Sequence, residues 1–308
     1  PGNEAFLEEE ERIDLAEVSP RLAGQGVSAL AWDMALKTLV VYTHEGSEAR
    51  LTLGGENGAS SGTPDFQAVL RPFSRTPNIR ALAWHPEERV LLAVTGGANP
   101  SLVVFDPETK EGGATELVLG GTAGPFLQPG GIAVDPASGE IVIVDRRRAR
   151  FVTVGTNGGV ASVEEWALGS TANLQAPITG FAIDEGGDYW LRTPEGAFEA
   201  RPDGSGLVRH PLAADAAGDL AAWDGSMAAL APSQARVDRL NSARNATSLL
   251  LGPHLPPASR LTGLAIDSEG GRLYVATPET GEIHVLGNID QAGAGPQPAS
   301  AELWNSYQ

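Results

Sequence analysis

One short apolar phrase recurs six times along the chain and constrains the fold more than any other feature. It reads Val27-Ser-Ala-Leu-Ala-Trp-Asp33, Ile79-Arg-Ala-Leu-Ala-Trp-His85, Gly130-Gly-Ile-Ala-Val-Asp135, Ile178-Thr-Gly-Phe-Ala-Ile-Asp184, Gly218-Asp-Leu-Ala-Ala-Trp-Asp224 and Leu261-Thr-Gly-Leu-Ala-Ile-Asp267. Roughly 40 to 50 residues separate successive closing Asp or His positions, close to the period of one propeller blade. After each marker comes a turn and a second apolar run, such as Thr38 to Tyr42, Val90 to Val94 and Arg272 to Ala276. Third runs follow, and fourth runs are visible after the first five markers, for example at Phe66 to Leu70, Glu116 to Leu119 and Ala246 to Leu251.

The sixth unit lacks a fourth run, while Arg12-Ile-Asp-Leu-Ala-Glu-Val18 upstream of the first unit has strand character. These patterns predict an all-β, six-bladed β-propeller with four antiparallel strands per blade. Its blades start near residues 27, 79, 130, 178, 218 and 261. The segment 12–18 is expected to supply the outer strand of the last blade, closing the ring and sparing it an exposed sheet edge. The propeller would span 1–287, and the Gly- and Pro-rich stretch after Gly287 predicts a tail over 288–308.

The chain's 38 Gly and 22 Pro supply the turns that such an array of short strands requires. Lys and Arg total 21 against 39 Asp and Glu, a formal charge of −18, so the long-range field repels phosphate backbones and no nucleic-acid partner is expected. No apolar run approaches the roughly 18 residues of a membrane-spanning helix. With no Cys, disulfides, thiolate zinc sites and cysteine nucleophiles are excluded. A start at Pro1 and the lack of Cys fit a mature exported bacterial protein, so the expected location is extracytoplasmic, periplasmic or secreted.

Blade three, Gly130-Gly-Ile-Ala-Val-Asp-Pro-Ala-Ser-Gly-Glu-Ile-Val-Ile-Val-Asp145 and onward to Val154, resembles an NHL repeat. The likeness extends to the superfamily that holds lactonase-like propellers of the SMP-30 and gluconolactonase kind, and it implies fold better than activity. In the lactonase-like enzymes it further implies a divalent metal on the axis, held by a Glu of the opening inner strand with Asn and Asp from later blades. Gly26 to Asp33 offers no such Glu, so no metal and no cofactor is expected. The recurrent Asp33, Asp135, Asp184, Asp224 and Asp267 are expected to cap the turn after each inner strand.

The five histidines, His44, His85, His210, His254 and His284, show no short metal-ligand spacing, and no G-x-S-x-G elbow is present. His85, standing where other units have Asp, is expected to serve its turn. Catalytic residues are therefore unassigned. The strongest local anomaly is Asp145-Arg-Arg-Arg-Ala-Arg150, where an acidic chain concentrates four cations. Guanidinium groups grip carboxylate and phosphate through paired hydrogen bonds, so Arg146, Arg147, Arg148 and Arg150 are candidates for binding a partner or an anion. At the end of the tail, Trp304 and Tyr307 are candidate partner anchors. Together these features favour a non-catalytic scaffold propeller, an accessory subunit docking on a protein partner or a membrane-associated complex. The alternative is a lactonase- or hydrolase-type enzyme with a divergent site in the central channel.

Overall fold

The computed structural model describes residues 3–33, 37–43, 48–52, 79–97, 99–106, 109, 111–117, 128–146, 150–155, 159–165, 177–210, 220–223, 226–231, 236–241, 246–250, 261–267, 269–277 and 280–287. The chain opens with strands β1 (Asn3–Phe6) and β2 (Glu8–Asp14) and a helical turn, α1 (Leu15–Val18). A first sheet then follows, β3 (Val27–Asp33), β4 (Thr38–Thr43) and β5 (Glu48–Thr52). The second holds β6 (Ile79–His85), β7 (Val90–Thr95), β8 (Ser101–Asp106) and β9 (Glu111–Glu116). The third holds β10 (Pro129–Val134), β11 (Ile141–Asp145), β12 (Arg150–Val154) and β13 (Val160–Glu165). The fourth is β14 (Gly180–Ile183), β15 (Tyr189–Thr193), β16 (Gly196–Ala200) and β17 (Val208–His210). Next come β18 (Leu220–Trp223), β19 (Ser226–Ala231), β20 (Arg236–Asn241) and β21 (Ala246–Leu250). The chain's last sheet runs β22 (Thr262–Asp267), β23 (Arg272–Thr277) and β24 (Glu282–Gly287), with β2 on its outer edge.

The inner strands β3, β6, β10, β14, β18 and β22 contact one another in that order around an axis, and β22 returns to β3. The chain is thus an all-β propeller. The expectation of six blades with four antiparallel strands each is corrected in its strand counts. Five sheets reach four strands or more, whereas β3–β4–β5 has three among the described residues. The sheet begun by β18 has five, because β1 adds to its outer edge in parallel with β21. The fourth run expected at 66–70 and the tail at 288–308 lie outside the described residues.

The second strand of each sheet explains the long apolar runs. Every residue of β4 and of β7 is buried, because both faces of these strands meet a neighbouring sheet. Side chains alternate between the two faces. Leu39 and Val41 accordingly join a cluster with Tyr274 and Val285 of the last sheet, while Val40 and Tyr42 join Leu91 and Phe105 of the second. The core is therefore a circle of layers between sheets, with no single centre.

β2 pairs antiparallel with β24, from Glu8 opposite Gly287 to Asp14 opposite Glu282. This strand lies four residues earlier than the expected 12–18. Asp14 ends it, since its Oδ1 accepts the Ala16 N–H at 2.8 Å and thereby starts the helical turn, whose Leu15 N–H donates to the Gly281 carbonyl. Leu7, 2% exposed, fills the layer between the last two sheets.

The seam also carries charge. Glu9 Oε1 lies 2.6 Å from Nδ1 of the fully buried His284, and Arg12 donates to the same carboxylate. Burial alone pushes the Glu9 carboxyl upward, but hydrogen bonds from Arg12 and His284 outweigh it and leave the group below its ordinary value of 4.5. A carboxylate depressed in the fold adds stability above its ordinary titration range, and that stability is lost as pH falls through the depressed value. Thermal unfolding between neutral pH and pH values below 4.5 should therefore show a smaller acid-induced drop in Tm for Glu9→Gln than for the parent chain. An equal drop in both proteins would remove Glu9 from the account.

Candidate functional site

At four of the six markers the turn that closes the inner strand is built as the sequence implies, while Asp224 and the residues that follow Asp33 lie outside the described residues. Asp135 Oδ1 accepts from the Ala137 and Ser138 N–H groups, Asp184 Oδ1 from Gly186 and Asp188, and Asp267 Oδ1 from Gly270. His85 does the same work with a ring nitrogen, as Nδ1 accepts the Glu88 N–H at 3.2 Å. Its Nε2 lies 3.0 Å from the Gly139 carbonyl, so the ring is the Nε2–H tautomer and joins the second sheet to the third. These carboxylates and this imidazole hold the turns.

Inside the ring of inner strands lies an axial cavity of about 710 Å³. Its waist is apolar and made largely of small residues, among them Ala31, Ala83, Ala133 and Ala222, with Trp32 and Trp84 also on the wall. Glycine sets how closely the inner strands approach. A methyl group on Gly131 would stand 2.6 Å from Phe181 Cβ, and one on Gly263, at φ +70°, would stand 2.9 Å from Leu30 Cγ. The two ends differ in charge. Glu185 and Glu269 line the end beyond the turns, and Arg80 and Thr179 line the end where the inner strands begin.

Arg80 owes its place to a β-bulge. The ladder skips one inner-strand residue between Ile79 and Ala81, as it does between Val27 and Ala29, Pro129 and Gly131, and Thr262 and Leu264. The extra residues are Ser28, Arg80, Gly130 and Gly263, so of these four bulges the second sheet's is the one that carries a cation. Bulges re-aim side chains and recur beside functional sites. Sequence reasoning missed Arg80, although the second position of the repeated phrase held the signal.

The arginine-rich loop divides. Arg150 is 3% exposed in β12, and its Nη2 lies 2.7 Å from Oδ2 of Asp145, which is fully buried at the end of β11. That pair closes the base of the loop. Arg146 is half-buried; its N–H donates to the Gln128 carbonyl and its own carbonyl accepts from Ile178, tying the third sheet to the fourth. Its Cα lies against Gly130 on the cavity wall, at the Arg80 end. Arg147, Arg148, Trp304 and Tyr307 lie outside the described residues, as does His44.

The divalent metal implied by lactonase-like propellers does not fit these donors. No group of three or more His, Asp or Glu that could hold a metal occurs among the described residues, and the opening inner strand lines the axis with Ala29, Leu30, Ala31 and Trp32. The two cavity carboxylates stand on separate turns, and Glu269 lies 3.1 Å from Lys37.

The fold recurs in solved structures. Virginiamycin B lyase from Staphylococcus aureus superposes with a TM-score of 0.65 at 11% identity, over 91% of this chain and 99% of that one. A catalytically inactive form of that lyase with quinupristin gives 0.63 at 10% identity, with the same coverage. A gluconolactonase from Xanthomonas campestris gives 0.62 at 14% identity, over 90% of this chain and 89% of that one. At such identities the likeness establishes a shared propeller fold. No family model matches the sequence, and no curated protein matches it either.

Proposed function

We propose that this propeller takes a small organic molecule into its axial cavity and acts on it as a lactonase- or hydrolase-type enzyme whose site has diverged from the metal-dependent pattern. The observation that carries this reading is the cavity itself. At about 710 Å³ it lies within the roughly 300–1,000 Å³ range of ligand pockets, and its apolar waist with a few polar groups at each end is the usual composition of one. The lyase and the gluconolactonase that share the fold support an enzymatic use of it.

Because the donor set does not fit a divalent cation, turnover should persist in chelator. A panel of five- and six-membered lactones, followed by acid release, tests the activity. Ala222→Trp tests the place, because Ala222 is an exposed part of the cavity wall and an indole there fills the waist. The expected result is a loss of about tenfold or more in apparent affinity without loss of fold. Ring opening by neither protein, together with no ligand binding, would overturn the proposal.

One observation favours a second reading. The described cavity wall near Arg80 carries no carboxylate or imidazole to serve as general base, as a non-catalytic scaffold would allow. In that reading the chain is an extracytoplasmic accessory subunit held on a protein partner. Cross-linking in native membranes followed by purification distinguishes the two, since a scaffold is recovered with a stoichiometric partner and an enzyme as a free propeller.

A further inference from the structure

We infer that Arg80 is the anchor of an anion subsite and that the cavity's ligand is an apolar molecule bearing one carboxylate. The inference rests on the ligand-binding reading above and deepens it. Three observations on the molecule converge. Arg80 is the extra residue of a bulge, in a position held by Ser28, Gly130 and Gly263 in three other inner strands. It lines the cavity and is exposed. Among the described residues no carboxylate pairs with it, although the chain has 39 acidic residues and only 21 cationic ones.

An acidic protein lowers the local concentration of anions, so an unpaired guanidinium at a cavity mouth is the feature that reverses this at one point. Arg146, whose backbone packs against Gly130 at the same end, adds a second positive charge to that end. The waist between Arg80 and the carboxylates of Glu185 and Glu269 is apolar, which fits a hydrophobic body and leaves no place for a second anionic group at the far end. A polyphosphate would meet the two Glu residues, whereas a monocarboxylate would not. The fork of Arg80 matches the two oxygens of a carboxylate.

Calorimetry with naphthylacetate and its neutral isostere naphthylacetamide tests this, using the parent chain, Arg80→Gln, Arg80→Lys and Ala222→Trp, each checked for parental melting. The expected result is a preference for the carboxylate of about tenfold in the parent chain, abolished in Arg80→Gln and partly kept in Arg80→Lys, with affinity for the amide unchanged. Equal affinity for the two probes, or a preference that survives in Arg80→Gln, would overturn the inference while leaving the cavity as a ligand site. Binding of neither probe, or binding that Ala222→Trp does not weaken, would sink the ligand-binding reading and the inference with it.

Discussion

Replacing Asp145 by alanine should cost about 3–5 kcal/mol of folding free energy, because it takes from the buried Arg150 guanidinium the carboxylate that lies 2.7 Å from it. The pair is 2.7 Å apart with side chains 3% and 0% exposed, so water cannot take the carboxylate's place without opening the layer between sheets. Desolvating two ions is itself expensive, and an apolar pair of similar volume can replace them at little or no cost. The double variant Asp145→Leu with Arg150→Met is accordingly expected to recover most of the loss. Urea unfolding of the single and double variants measures both effects. A single variant within about 0.5 kcal/mol of the parent, the range of ordinary surface substitutions, would show that the ion pair does not hold the loop base. If the pair does hold it, the same single variant should also weaken binding of the naphthylacetate probe, since Arg146 stands on the loop that the pair closes.

That pair also shows where sequence reading stops. In one dimension Arg150 is the fourth cation of a run expected to bind a partner or an anion. The hairpin register turns it inward, since Asp145 ends β11 and Arg150 begins β12, and strand alternation sets both against the buried layer. Register is a matter of pairing across the loop, and composition of the loop does not reveal it. The inner strands were legible for the opposite reason. Their bounds follow from a local phrase with a turn-capping Asp or His at its end, and β3 and β6 coincide with Val27–Asp33 and Ile79–His85.

The amino-terminal seam and the cavity were read less well. Glu8 to Glu11 lie outside the expected 12–18, yet they form the strand, where β23 offers Arg272 to Glu10 and β24 offers His284 to Glu9. Those partners lie more than 260 residues away in sequence, beyond the reach of any local pattern. Arg80 was overlooked because a bulge is defined by a mismatch between two strands. Its mark in the sequence is a single cation where the sister units have Ser, Gly, Thr or Asp.

Removal of residues 1–14 is expected to lower Tm by about 10 °C or more and to make unfolding less cooperative. The deletion strips the outer edge of β24, takes Leu7 out of the layer between the last two sheets, and removes Glu9 from His284. Burying a leucine contributes about 1.5–3 kcal/mol. Nε2 of His284 already has no hydrogen-bond partner, so losing Glu9 leaves both ring nitrogens of a fully buried side chain unmatched, at a cost of about 1–3 kcal/mol. The exposed Arg272 and Glu10 pair adds little to this sum. In a chain of this size one kcal/mol moves Tm by roughly 2–4 °C, and total stability is only about 5–15 kcal/mol, so losses on this scale consume much of it. The bare edge of β24 becomes a template for other strands, and the truncated chain should associate through it at micromolar concentration. Adding the peptide of residues 1–14 in trans should raise Tm and suppress that association, because the missing element is a strand with a defined register on β24. A truncated protein that melts like the parent would show that the ring holds without its seam, and a peptide without effect would show that the loss comes from elsewhere than that edge.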